Sequence, residues 1–419
     1  MTRRRVARRR LAGVLAAAGV AVGLAACGSS TVSTTSGSGS TSSDSGGAAS
    51  TGASTVQTTA GATGGDSWQI GSFLDLTGTD AAGGAAQQRG INYLIDQLNS
   101  QGGINGHRLS IKFCDTQSTP AGAAQCAQQL AGVNTHLVLA QAIDPPTRGA
   151  LPYLTRDVVV AVDPILLPRS GGNVWQATGA SSVVADAMVT GVRAAGMDKI
   201  GVLYTTDTSG THQLEAAQEA ARRQGLTVVS QAQNADSRDV TPQLVKLRSA
   251  GADVIYLASV GTNTAAAVNS YRTLGMTQPI IVGAAAVTNG FLHSLPSLPD
   301  HLYGVSQLLA STDGLPAATA SAFGDYLRAF RSDEGEPADT QTTSAVYDGC
   351  VATAALRAGG PDVQAMLAFL RSRPITCLGS TMRFDIPGLN VVSGQPAALA
   401  QAGSSADDGW GPLDGGRLQ

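Results

Sequence analysis

Ile91-Asn92-Tyr93-Leu94-Ile95-Asp96-Gln97-Leu98 places Ile91, Leu94, Ile95 and Leu98 at i, i+3, i+4 and i+7, which is one face of a helix. Gly102-Gly103 follows, where glycine tolerates the left-handed backbone that ends helices. A β-rich run lies before this helix, at 69–74, and another after it, at 109–113. The unit therefore reads strand, helix, strand. Outward from it the same texture repeats, with β-rich runs at 136–140, 158–162, 200–204, 226–230, 254–258 and 279–282. Val158-Val159-Val160-Ala161-Val162 has no polar alternation, which suits a strand covered on both faces. In the stretch 241–250, Leu244, Val245 and Leu247 point inward and Pro242 sits near the first turn. Alternating β and α segments predict an α/β fold with parallel sheets and helices on both sides. Two series of them, 68–162 and 199–282, predict two similar lobes.

The chain ahead of this body has a different composition. Residues 1–10 carry six arginines, and the 16 residues 11–26 are apolar and small. That stretch is shorter than the roughly 20 residues a bilayer span needs, so it reads as a secretory signal peptide over 1–26. It ends in Leu24-Ala25-Ala26-Cys27-Gly28, which resembles the lipobox of bacterial lipoproteins and implies lipidation of Cys27. Residues 27–65 are almost all Ser, Thr, Gly and Ala and read as a flexible tether. With the six leader arginines removed, 21 basic residues face 30 acidic ones. An acidic body does not suit nucleic-acid binding. The last segment, 401–419, is Gly- and Asp-rich and is expected to fray.

Four cysteines remain after Cys27: Cys114, Cys126, Cys350 and Cys377. An even number in an exported chain favours disulfides. Three connectivities are possible; local pairing of Cys114 with Cys126 would leave Cys350 for Cys377. Their spacing is not that of a zinc site and no histidine cluster accompanies them, so no metal is expected. No G-x-S-x-G elbow, H-E-x-x-H pair, Walker loop or G-x-G-x-x-G fingerprint occurs, and the five histidines are scattered. The chain is therefore expected to be no enzyme and to need no cofactor.

Four stretches together resemble the type I periplasmic binding proteins of the branched-chain amino acid (Leu/Ile/Val) receptor family, which serve ABC transporters. The first runs from Ile70 through Thr77-Gly78 and Arg89-Gly90 to Gln101-Gly102-Gly103-Ile104-Asn105-Gly106. The second runs from Lys112 through Asp115 and Thr119-Pro120 to Leu130. The third is Lys199 to Asp207 with Ser209-Gly210, and the fourth Val240-Thr241-Pro242-Gln243-Leu244 through Gly251-Ala252-Asp253-Val254-Ile255. Tyr347-Asp348 also fits. The resemblance implies two Rossmann-like lobes joined by a hinge of three crossings. Lobe 1 would be 66–177 plus 306–370 and lobe 2 178–305 plus 371–400. It implies a small-molecule ligand, amino-acid-like or another small polar or apolar solute, held in the cleft, an ABC permease partner, a monomer, and a place outside the cell membrane, anchored through lipid. A ligand sensor, or a scaffold of the same fold without transport, is the alternative.

Cleft-facing loops would then supply the contacts: Thr79, Asp80, Gln141, Asp144, Asp163, Ile165, Tyr204, Asp207, Ser209, Gly261 and Asn263. Where the resemblance leads one to expect hydroxyl-bearing loops, the chain has Gln141-Ala142-Ile143-Asp144-Pro145-Pro146 and Asp163-Pro164-Ile165-Leu166-Leu167-Pro168. Gly283-Ala284-Ala285-Ala286 offers no acidic side chain. An apolar, neutral polar or cationic ligand is expected over a carboxylate.

Overall fold

The alternation becomes two sheets. The structure is a computed structural model that describes residues 56–58, 67–161, 172–179, 181–307, 312, 315–384, 390–392 and 397–419. The leader, Cys27 and most of the stretch read as a tether lie outside the described residues.

The first sheet contains β1 (Val56–Thr58), β2 (Trp68–Leu74), β3 (Leu109–Asp115), β4 (Leu137–Ala140), β5 (Val158–Ala161) and β6 (Val174–Gln176) in the order β1-β3-β2-β4-β5-β6. All its pairings are parallel except β1 with β3. β1 comes from within the stretch read as tether, where Val56 pairs with Cys114. The helices α1 (Ala81–Ser100), α2 (Pro120–Leu130) and α3 (Asp144–Ala150) fill the crossovers. β5 is buried along its whole length, as its unbroken valines require.

The second sheet follows α4 (Ser181–Ala194) and contains β7 (Lys199–Thr205), β8 (Thr227–Gln233), β9 (Val254–Ala258), β10 (Ile280–Val282) and β11 (Leu302–Ser306), all paired in parallel. Between these strands lie α5 (Thr208–Gln224), α6 (Thr241–Ser249), α7 (Gly261–Thr273) and α8 (Asn289–Ser294). The chain then returns to the first lobe. α9 (Ala317–Glu334), α10 (Thr340–Gly359) and α11 (Val363–Ser372) cover that sheet, followed by the hairpin β12 (Ile375–Cys377) and β13 (Ser380–Met382). Finally β14 (Ala398–Ala402) and β15 (Trp410–Gly411) extend the second sheet to the order β15-β14-β11-β10-β9-β7-β8.

Each parallel sheet thus has the doubly wound order in which the second strand lies outside the first. Its switch point falls between β2 and β4 in one lobe and between β7 and β9 in the other. Among the described residues the chain passes between the lobes three times: after β6, after β11, and between Val392 and β14. The third passage lies later than the sequence suggested. Ile375, Cys377, Met382 and Val392 are buried in the core of lobe 1, so the described residues 371–384 and 390–392 stay with that lobe.

The end of the chain is not frayed. Trp410 is buried and its indole Nε1 donates to the carbonyl of Thr288, while Leu418 is buried against lobe 2. Burial of the indole and of Leu418, with the strand pairing of β14 and β15, opposes the ordering entropy that glycine-rich composition implies. α1 also departs from a single-face reading. Tyr93, off the stripe, is buried against Tyr326 and Phe330 of α9, since that helix covers a second face.

The disulfides pair Cys114 with Cys126 and Cys350 with Cys377. Closing loops of 12 and 27 residues, each stabilises the fold by roughly 3 kcal/mol in the chain-entropy picture.

Candidate ligand-binding cleft

The carboxyl ends of the parallel strands in both lobes meet at one cleft. At the lobe 1 switch point Asp75 closes β2. Its carboxylate accepts from the hydroxyl of Thr116, beyond β3, and from the backbone N–H of Ile143, beyond β4, at 2.9 Å. One side chain thus fixes the three loops at the rim. Burial pushes its carboxyl up to about 6, against the lowering effect of the Thr116 and Ile143 hydrogen bonds.

Two adjoining pockets occupy the cleft. The first is lined by Asp80, Gln87, Ala142, Ile143, Thr340, Gln341 and Ser344 from lobe 1 and by Val184, Ala284, Ala285, Ser306 and Gln307 from lobe 2, with Thr178 at a crossing. It spans about 560 Å³, open solvent included. The second, about 640 Å³ on the same measure, adds Asp144 from lobe 1 and Ser181, Ser209, His212, Gln213 and Tyr256 from lobe 2, and shares Val184, Ala284 and Ala285. Walls drawn from two lobes suit a ligand that holds them together.

The lobes also touch directly along the rim. The N–H of Thr262 donates to the carbonyl of Thr79 at 3.0 Å. Gly261, the first residue of α7, has φ +54°, and a Cβ there would lie 1.7 Å from that carbonyl oxygen. Asp339, the N-cap of α10, receives the N–H of Thr342 on one oxygen at 2.8 Å and the N–H of Asn289, from lobe 2, on the other at 3.0 Å. Arg89 pairs with Glu336 beside it.

Of the residues singled out in the sequence, Asp80, Asp144 and Ser209 line the pockets. Asp144 is held by Arg148 Nε at 2.7 Å; burial raises its carboxyl, with Arg148 acting against that. Thr79 and Gly261 form the rim contact. Gln141 does not reach the cleft: it is fully buried and donates to Asp348 of α10 at 2.8 Å. Asp207 caps α5, accepting from the N–H of Gly210 at 2.8 Å. Tyr204 packs against the core of lobe 2, and Asn263 is buried within α7. Asp163 and Ile165 lie outside the described residues. Gln87, Thr340, Gln341 and Ser344 were not anticipated, because they sit on helices rather than on strand-end loops. A usable signal was present: Asp339 to Ser344 are six successive polar residues, all buried.

Burial raises the carboxyl of Asp348 well above its ordinary value of 3.8, and the hydrogen bond from Gln141 only partly opposes this. A folded value above the unfolded one means the protonated form is favoured by folding. The contribution is fully present below the unfolded value and lost as pH rises through the folded one. An asparagine side chain at this position could still accept from Gln141 without the charge. Asp348→Asn is therefore expected to raise the melting temperature at pH 8 and leave it nearly unchanged at pH 4. Equal destabilisation at both values would contradict this reading.

Among the described residues no group of side chains is arranged to hold a metal ion, and no helix is long and apolar enough to cross a membrane. The family model described as periplasmic binding protein matches residues 67–406. The Leu/Ile/Val-binding protein homolog 3 of Brucella melitensis is 25% identical over 227 residues, which cover 52% of this chain and 61% of that relative's length. The leucine binding protein LivK of Thermotoga maritima superposes with a TM-score of 0.68 at 15% identity, covering 80% of this chain and 95% of that one. A fatty acid ABC transporter substrate-binding protein of Thermomonospora curvata gives 0.66 at 18%, covering 82% and 90%.

Proposed function

The chain belongs to the periplasmic binding protein family, and from that premise we propose that it is an extracytoplasmic receptor that closes two lobes on a small solute and presents the closed form to an ABC-type permease. The observation that carries this is the first pocket, whose walls come from both lobes at the carboxyl ends of their strands. A solute touching both walls binds the closed state better than the open one and shifts the population toward it. Both walls belong to one chain, so a monomer suffices. The family is one of binding proteins, and the chemistry here is recognition rather than turnover.

The fold is shared by relatives named for leucine and for fatty acids, so the lining must choose the ligand. Here it is small and aliphatic at Ala142, Ile143, Val184, Ala284 and Ala285, neutral polar at Gln87, Thr178, Thr340, Gln341 and Ser344, and ionisable at Asp80, Asp144 and His212. This supports a small solute with an apolar body. Cys27 would hold the receptor at the outer face of the membrane; the intact mass of membrane-extracted protein, beginning at an acylated Cys27, tests that. The function itself is tested by mass spectrometry of small molecules that co-purify with the full chain. One solute in near-equal ratio to the chain is expected. A folded chain that retains none, and takes up none from a broad metabolite panel, would refute it.

A further inference from the structure

The cleft contains a chain of amides whose direction is fixed. The backbone carbonyl of Ala284, in lobe 2, can only accept a hydrogen bond. Gln341 Nε2 donates to it at 3.4 Å, so Gln341 Oε1 faces the other way. That oxygen accepts from Gln87 Nε2 at 2.8 Å. Gln87 lines the pocket, and the relay leaves its Oε1, an acceptor, buried without a hydrogen-bond partner on the chain. The hydroxyl of Thr340, on the same wall, is also buried without a partner on the chain. Buried acceptors are rarely left unmet in native proteins. Asp80 contributes a buried carboxyl group to the same pocket, and no lysine or arginine lines either pocket among the described residues. At the nearby start of α10, Thr340 N–H is bound to Val287 and Thr342 N–H to Asp339.

Resting on the cleft reading above, we propose that this pocket reads a hydrogen-bond donor on the solute, an ammonium or amino group carried by a small aliphatic body, and that Gln87 Oε1 is the specificity-determining acceptor. Ile143, Val184, Ala284 and Ala285 take the aliphatic part. Because Gln341 ties Gln87 to a lobe 2 carbonyl, closure of the lobes and orientation of the acceptor occur together.

Two probes of matched shape test this by calorimetry on the full chain freed of bound solute: 3-methylbutylamine and 4-methylpentanoate. The amine is expected to bind at least tenfold more tightly than the acid. Gln87→Leu is expected to weaken amine binding at least tenfold. Gln87→Met, which keeps the length and volume of the side chain without its amide, is expected to weaken it likewise. Thermal melts without ligand report folding, and if the leucine variant is unstable the methionine variant still discriminates. An acid that binds as well as the amine, an amine that does not bind, or a folded methionine variant that holds the amine as tightly as the parent would overturn the proposal. A solute of other chemistry that still closes the lobes would overturn it while leaving the cleft reading standing.

Discussion

Gly261→Ala is expected to weaken solute binding at least 100-fold while Gly275→Ala leaves affinity unchanged. Both glycines follow the left-handed backbone, with φ of +54° and +57°. Both substitutions therefore carry the same kind of local strain, of order 1–3 kcal/mol. They differ in what the new methyl meets. At Gly275 nothing lies within 4 Å. At Gly261 the methyl would lie 1.7 Å from the carbonyl oxygen of Thr79, and 2.6 Å from its carbon, on the opposite lobe. Backbone cannot rotate aside as a side-chain tip can. The lobes must stay apart or the Thr262 to Thr79 hydrogen bond must break. A hundredfold loss is about 2.7 kcal/mol of closure energy, a modest demand on so severe an overlap. Calorimetry with the co-purifying solute measures it. Equal affinities in the two variants would mean that the rim contact does not limit closure.

Asp339→Ala is expected to lower the unfolding free energy by roughly 2–3 kcal/mol, read from chemical denaturation. Losing an N-cap carboxylate costs a helix about 1 kcal/mol. The orphaned N–H of Asn289 adds about 1–3 kcal/mol, because it is buried. Burial raises the Asp339 carboxyl, so relief of its desolvation offsets part of the loss. Asp339→Asn retains one acceptor and cannot serve both amides, so its loss should be intermediate. A variant as stable as the parent would show that the shared cap does not join the lobes.

Much of the architecture was legible because it is local. The valine run of β5 and the stripe of α1 each carry their own period, and export implied cysteine pairing. The third crossing was not legible. Among the described residues of 371–392 there are two three-residue strands, and what binds them to lobe 1 is Cys377 bridging to Cys350 and the burial of Ile375 and Met382, all non-local. The tail misled for the same reason: Trp410 answers to Thr288, 122 residues earlier.

The site divided along the same line. Asp80, Asp144 and Ser209 follow strands closely, so the rule that ligands bind beyond carboxyl ends found them. The same rule gathered Asp207 and Gln141, whose polar groups serve a helix cap and a buried pair. Gln87 and Gln341 escaped it, since they lie within helices and are 254 residues apart. Their role exists only where α1 and α10 pack together, and Gly90 permits that approach: a Cβ there would sit 2.3 Å from the carbonyl of Thr342.

Small-angle X-ray scattering of the full chain, first stripped of solute and then resupplied with the one that co-purifies, bears most directly on the two-lobed receptor. The radius of gyration is expected to shrink on addition, in step with the calorimetric binding curve, and to stay large in Gly261→Ala. An identical scattering profile at saturation, with the solute demonstrably bound, would contradict closure of the lobes as the way this chain works.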